Sequence, residues 1–222
     1  RNEFTAAEKK LPGKVKSALE YAISNIRKFH EKQKPLSMNF EELKPGLFAG
    51  EKAIPLESAG LYVPRGRGSF PSMLYMLAVP AVVAGVKRIC VITPPGEKGE
   101  VDPGCLYAAK LCGIDEIYRV GGAQGIAALA YGTESIPAVH KITGPGSMYV
   151  SAAKRLLNGT VDVGLPAGPS ESMILADSEA DPWKLALDLL VEAEHGSDSS
   201  AVLVTNSRVI AEKTAVYIEE LI

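Results

Sequence analysis

Between Val63 and Leu157 the chain alternates short apolar runs with runs of helical length, and this alternation narrows the possible folds more than any other feature. Arg88-Ile-Cys-Val-Ile-Thr93, Glu116-Ile-Tyr-Arg-Val120 and His140-Lys-Ile-Thr143 read as strands. Ser72 to Ala84, Gly104 to Leu111, the run from Gly121 through Tyr131, and Met148 to Leu157 read as helices. Strands joined through a helix cannot form hairpins, so successive strands run parallel and the crossovers are right-handed. The expected fold class is therefore α/β, a largely parallel sheet with flanking helices. On such a sheet ligands bind outside the carboxyl ends of the strands, and the glycines of this chain concentrate there.

Outside that stretch the pattern is less regular. Residues 5 to 34 keep Val15, Leu19, Ala22, Ile23 and Ile26 at a period near 3.6, predicting one long amphipathic helix that Pro35 ends. Leu47-Phe-Ala and Gly60-Leu-Tyr-Val are short strand-like pieces. Met173-Ile-Leu-Ala and Ala201-Val-Leu-Val-Thr205 read as strands, with helices over Asp181 to Glu194 and Ile210 to Ile222. The expected organisation has residues 1–62 and 172–222 as parts of one α/β lobe, into which a unit spanning 63–171 is inserted.

Composition excludes several classes. A net charge of -2 argues against a nucleic-acid tract or an anionic-membrane patch. No apolar run reaches the roughly 18 residues that a membrane span needs. Three cysteines without a Cys-x-x-Cys pair read as reduced core residues of a cytoplasmic protein. A serine hydrolase is poorly supported, because no Gly-x-Ser-x-Gly elbow occurs and the chain holds 3 histidines. The ends, Arg1-Asn-Glu-Phe and Tyr217-Ile-Glu-Glu-Leu-Ile222, read as cuts from a longer polypeptide.

Three glycine-bearing loops adjoin predicted elements: Val120-Gly-Gly-Ala-Gln-Gly125, Thr143-Gly-Pro-Gly-Ser147 and Pro166-Ala-Gly-Pro-Ser-Glu171. Such a turn before a helix offers backbone N–H groups and the positive dipole end to an anion. It also serves simply as a tight turn, and the residues alone leave both readings open. Neither the Gly-x-Gly-x-x-Gly fingerprint nor a Walker A pattern occurs. Further on, Glu192-Ala-Glu-His195 spaces a carboxylate and an imidazole three apart, on one helix face, before Gly196. The pair suits one metal ion, or it is a solvated helix end. A di-iron bundle is excluded, since no second Glu-x-x-His is present.

Taken in order, these motifs resemble one family. Gly60-Leu-Tyr-Val-Pro, the run from Val120 to Ser135, Lys141-Ile-Thr-Gly-Pro-Gly, Pro166-Ala-Gly-Pro-Ser-Glu171 and Glu192-Ala-Glu-His-Gly-Ser-Asp198 are similar to those of histidinol dehydrogenase, from about residue 10 onward. The resemblance implies a zinc-dependent, homodimeric cytoplasmic enzyme of histidine biosynthesis. It would oxidise an amino alcohol, L-histidinol, to L-histidine through an aldehyde, using two molecules of NAD. It also implies an incomplete Rossmann-like sheet, consistent with the missing fingerprint. Carried over by position, NAD contacts fall on Tyr62, Gln124 and Ser147. The substrate-contacting serine falls on Ser170. The zinc ligands fall on Glu192 and His195, through which the substrate also meets the metal.

The chain departs from the family's pattern in three places. Glu192 stands where the family has Gln, and Ser147 where it has Asn. Pro64-Arg-Gly-Arg-Gly-Ser69 replaces the usual Pro-Gly-Gly. Arg65 and Arg67 there either attract an acidic substrate or cofactor phosphate, or decorate a solvent loop. The family's catalytic Glu-His pair, in a Gly-Pro-Glu-His-Leu stretch, has no match, nor do its remaining Asp and His zinc ligands. Catalytic residues are thus expected beyond Ile222, and this chain alone is expected to be inactive. The alternatives are a paralogous dehydrogenase of another amino or sulfonated alcohol, and a non-catalytic nucleotide-binding or interaction module.

Overall fold

The computed structural model describes residues 2–65, 68–165, 171–194 and 199–222. Two compact units emerge, Arg1–Ala167 and Gly168–Ile222.

After strands β1 (Met38–Lys44) and β2 (Leu47–Lys52), the first unit is built on four parallel strands: β3 (Ser58–Tyr62), β4 (Arg88–Ile92), β5 (Glu116–Tyr118) and β6 (Lys141–Thr143). Their spatial order is β5-β4-β3-β6. Helices α3 (Pro71–Ala84), α4 (Pro103–Leu111) and α5 (Gly122–Tyr131) make the three crossovers, and α6 (Met148–Leu157) follows β6. The expected parallel α/β sheet with flanking helices is what forms.

The sheet is buried on both faces, as parallel sheets require. Side chains alternate with the strand period of two. Leu61, Val63 and Val91 join Leu74, Ala78, Cys105 and Ala109 in one core cluster. Tyr62, Cys90, Ile92 and Ile142 join Ile126, Leu129 and Val150 in the other. Gly125 lets α5 approach β4, since a Cβ there would lie 3.0 Å from Cδ1 of Ile92. Cys90, Cys105 and Cys112 are free and buried, as the sequence predicts.

The N-terminal region differs from expectation in three ways. The single helix over 5–34 is two helices, α1 (Asn2–Lys10) and α2 (Gly13–Gln33). Pro12, at φ -57° and ψ 144°, is extended and caps α2. A hairpin follows, β1 (Met38–Lys44) antiparallel to β2 (Leu47–Lys52); β2 holds the expected strand Leu47-Phe-Ala, and β1 is unforeseen. The chain also divides differently from the proposed 1–62 plus 172–222 lobe. β3 lies inside the four-stranded sheet, paired with both β4 and β6. Phe4 and Ala7 of α1, with Ile23 and Ile26 of α2, pack into the same core as α3 and α4. Burial of those side chains ties residues 1–62 to the sheet that follows them.

The second unit pairs β7 (Glu171–Ala176) in parallel with β8 (Ser200–Thr205), joined through α7 (Pro182–Ala193) and followed by α8 (Arg208–Leu221). Asp181 caps α7 by accepting from the Trp183 N–H at 3.0 Å. Leu185, Ala186 and Leu189 form the buried stripe of α7.

Candidate functional site

The strand order fixes where a ligand is held. From β3 the chain winds outward through β4 to β5, then returns to place β6 on the other side of β3. The direction of winding therefore reverses between β3 and β6. In open α/β sheets a crevice forms outside the carboxyl ends of strands at this switch point. Tyr62 is the last residue of β3, and the Gly144–Ser147 loop leaves β6 beside it.

Close approach at this point depends on glycine. Gly144 has φ 116°, and a Cβ on it would lie 2.1 Å from the Tyr62 carbonyl oxygen. The two backbones are thus in direct contact, which no other residue type allows. The Tyr62 side chain is 4% exposed. Its hydroxyl accepts a hydrogen bond from the Gly122 N–H at 3.2 Å. Gly122 opens α5 at φ 67°, and a Cβ there would meet Oε1 of Gln124 at 2.8 Å. Tyr62 and the Gly122–Gln124 turn are therefore brought together. Gln124 itself is exposed in the first turn of α5.

Ser147 is exposed and precedes α6, but its side chain makes no capping hydrogen bond. The first N–H groups of α6 lack intrahelical partners, and an anion there is favoured by the helix dipole. Two of the three glycine loops singled out from the sequence, those before α5 and α6, thus flank the end of β3. The third loop falls on residues 166–170, including Ser170, which lie outside the described residues.

Arg65 is not free to steer a ligand. Its guanidinium donates to the Glu100 carbonyl at 3.2 Å and to the Glu100 carboxylate at 3.3 Å. This pair links the loop after β3 to the loop after β4. Arg67 lies outside the described residues.

The candidate metal residues belong to the second unit. Glu192 lies in the last turn of α7, which ends at Ala193 with Glu194 as its C-cap. It is half-buried, and among the described residues its Oε1 is sequestered from water without a hydrogen-bond partner. A buried carboxylate oxygen lacking a donor is costly, whereas a cation would satisfy it. His195 and the expected cap Gly196 lie outside the described residues. Among the described residues no group of three His, Cys, Asp or Glu side chains is arranged to hold a metal ion. Glu192 thus fits one ligand of a zinc site, and a four-coordinate ion needs others.

Lys154, absent from the sequence-based set, is 2% exposed and donates to the Gly144 carbonyl. The signal for it lay in the helical period, since Val150, Ala153 and Leu157 share its buried face. An apolar cavity of about 630 Å³ in the first unit is lined by Ile54, Leu56, Met76 and Pro80, and also by Leu61 of β3 and Thr143 of β6.

These features can be set beside known proteins. A family model described as histidinol dehydrogenase matches residues 1–222. The histidinol dehydrogenase of Synechocystis is 57% identical over 98% of this chain and 50% of its own length. A histidinol dehydrogenase homolog of Rhizobium meliloti is 54% identical, over 98% of this chain and 48% of its own. The crystal structure of histidinol dehydrogenase from Elizabethkingia anophelis superposes with a TM-score of 0.91 at 42% identity, covering 99% of this chain and 51% of that one. This chain spans about half the length of the curated relatives it matches. The match over all 222 residues places the chain in the histidinol dehydrogenase family.

Proposed function

We propose that this chain supplies the nucleotide-binding sheet and part of the metal site of an NAD- and zinc-dependent dehydrogenase. The enzyme would oxidise L-histidinol to L-histidine through an aldehyde. The observation that carries the reading is the junction at the β3–β6 switch point. There Tyr62 receives the Gly122 N–H while Gly144 touches the Tyr62 backbone.

Tyr62, Gln124 and Ser147 are assigned to NAD. Tyr62 fixes the start of α5 so that Gln124 is presented from its first turn. Ser147 and the N–H groups after it face the cofactor's phosphates. Ser170 is assigned to the substrate, and Glu192 with His195 to zinc. When bound, zinc would orient the amino alcohol and polarise its hydroxyl. Glu192 brings a full negative charge, which binds a dication more strongly than a neutral amide would and lowers the net charge there. The working assembly is proposed to be a cytoplasmic homodimer. Among the described residues no helix is long and apolar enough to cross a membrane.

The test is NADH formation by the uninterrupted polypeptide with zinc, NAD and L-histidinol. Turnover that a chelator abolishes is expected. NAD binding without turnover would favour the second reading, a paralogous dehydrogenase of another amino or sulfonated alcohol, to which Glu192 points. Loss of both NAD binding and turnover would leave a non-catalytic module.

A further inference from the structure

The buried cation beneath the Gly144 loop has no role in the reading above. Lys154 lies on the inner face of α6 with Val150, Ala153 and Leu157, and only 2% of it reaches solvent. Its ammonium group donates to the carbonyl of Gly144. None of the ion pairs among the described residues includes it. Burial alone acts on its titration, pushing it below the ordinary lysine range. A lysine used only to fill space at this position would be an expensive choice, because a sequestered charge without a counter-ion is strongly disfavoured.

Two features of the loop explain the placement. Gly144 packs closely against the Tyr62 carbonyl, where an added Cβ would lie 2.1 Å from that oxygen. Glycine lets the two backbones meet with no side chain between them, and the tie from Lys154 acts at that same residue. Three residues later, Ser147 leaves its hydroxyl unused by the helix it precedes. The loop therefore carries a buried positive charge on its inner side and a helix N-terminus on its outer side. Both favour a negative group at the start of α6.

We propose that Lys154 is a positioning residue, whose buried ammonium holds the Gly144–Ser147 loop against the end of β3 and biases it toward an anionic group, the pyrophosphate of a dinucleotide. The proposal rests on the nucleotide reading of this site. Lys154 acts through Gly144 and the loop, without touching the cofactor.

The experiment uses the full chain and two variants, Lys154→Met, which keeps the length but removes charge and donors, and Lys154→Arg, which keeps the charge. NAD, ADP and adenosine are titrated calorimetrically, and amide hydrogen exchange is followed over residues 143–150 without ligand. Lys154→Met is expected to weaken NAD and ADP by about tenfold or more, leave adenosine within about twofold, and speed exchange in the loop selectively. Lys154→Arg is expected to recover most of the ADP affinity. Unchanged NAD affinity in Lys154→Met overturns the proposal. So does an equal loss for adenosine with exchange raised throughout the molecule. If the unaltered chain binds neither NAD nor ADP, the nucleotide reading falls and exchange decides alone. Selective loosening of the loop then sustains the positioning role, and unchanged exchange ends it.

Discussion

At Glu192 a single carboxylate oxygen separates a structural role from a ligating one. Oε1 is buried and has no donor among the described residues, so in the metal-free chain it costs stability rather than adding to it. Glu192→Ala should therefore leave the metal-free melting temperature unchanged or raise it slightly. The same substitution should abolish any rise in melting temperature produced by zinc, and bound zinc measured by atomic spectroscopy should fall with it. A metal-free chain destabilised by about 2 kcal/mol or more would instead show that Glu192 has a structural partner. The cysteines give a second expectation at this scale. Burial pushes the thiols of Cys90 and Cys112 up to about 11, and that of Cys105 upward as well. The thiolate is the reactive form, so iodoacetamide at neutral pH should label none of the three in the native chain and all of them in urea. Native labelling detected by mass spectrometry would contradict this placement.

Among the elements, the amino ends of β4 and β5 are joined by a charge pair on the edge of the sheet opposite the candidate site. Arg88 donates to both carboxylate oxygens of Glu116, and also to the carbonyls of Pro137 and Ala138 at 3.4 Å. Burial pushes the Glu116 carboxyl up, but hydrogen bonds from Arg88 and Tyr118, with the Arg88 charge, outweigh it and hold the group below its usual range. A carboxyl lowered in the folded state contributes stability above its unfolded value near 4.5 and loses it as pH falls through the folded value. Glu116→Gln should cost about 1–2 kcal/mol at neutral pH and flatten the acid limb of a denaturant-derived stability curve. A limb of unchanged slope would refute that role. The same sheet shows what a reader of the residues could and could not see. Strands β4 to β6 and their helices were legible because apolar runs, helical periods and glycine corners agreed. The break at Pro12 was hidden by the continuous amphipathic pattern around it. Of the hairpin only Leu47-Phe-Ala in β2 was legible; β1 was hidden because its residues are exposed on both faces, so no alternation marks it, although Pro45-Gly46 marks the turn. Tyr62 was reachable through the motif resemblance, but its bond to Gly122 links residues 60 apart and has no local signal. Lys154 beside Arg155 reads as a solvated helix end until the period is followed across them.

For the molecule as a whole, the decisive quantity is how much of a working site 222 residues contain. The proposed nucleotide part draws on β3, α5 and the loop before α6, all of them within the first unit. For the proposed metal part, zinc takes four ligands, three of them from protein even in catalytic sites, and the Asp and His that the resemblance adds to Glu192 and His195 have no match in the sequence. Nor does the chain contain a Gly-Pro-Glu-His-Leu stretch to provide the family's acid–base pair. Binding and chemistry should therefore separate. The 222-residue polypeptide is expected to bind NAD by titration, yet to produce no NADH from L-histidinol above a zinc-free blank. Tyr62→Phe, which deletes the acceptor for the Gly122 N–H, should weaken that binding by about three- to tenfold while leaving the zero rate unmoved. Zinc-dependent NADH formation by this polypeptide would overturn the division, and would require an acid–base group within the 222 residues that the resemblance does not identify. Binding without turnover would locate the remaining chemistry in sequence outside this half of the family's length.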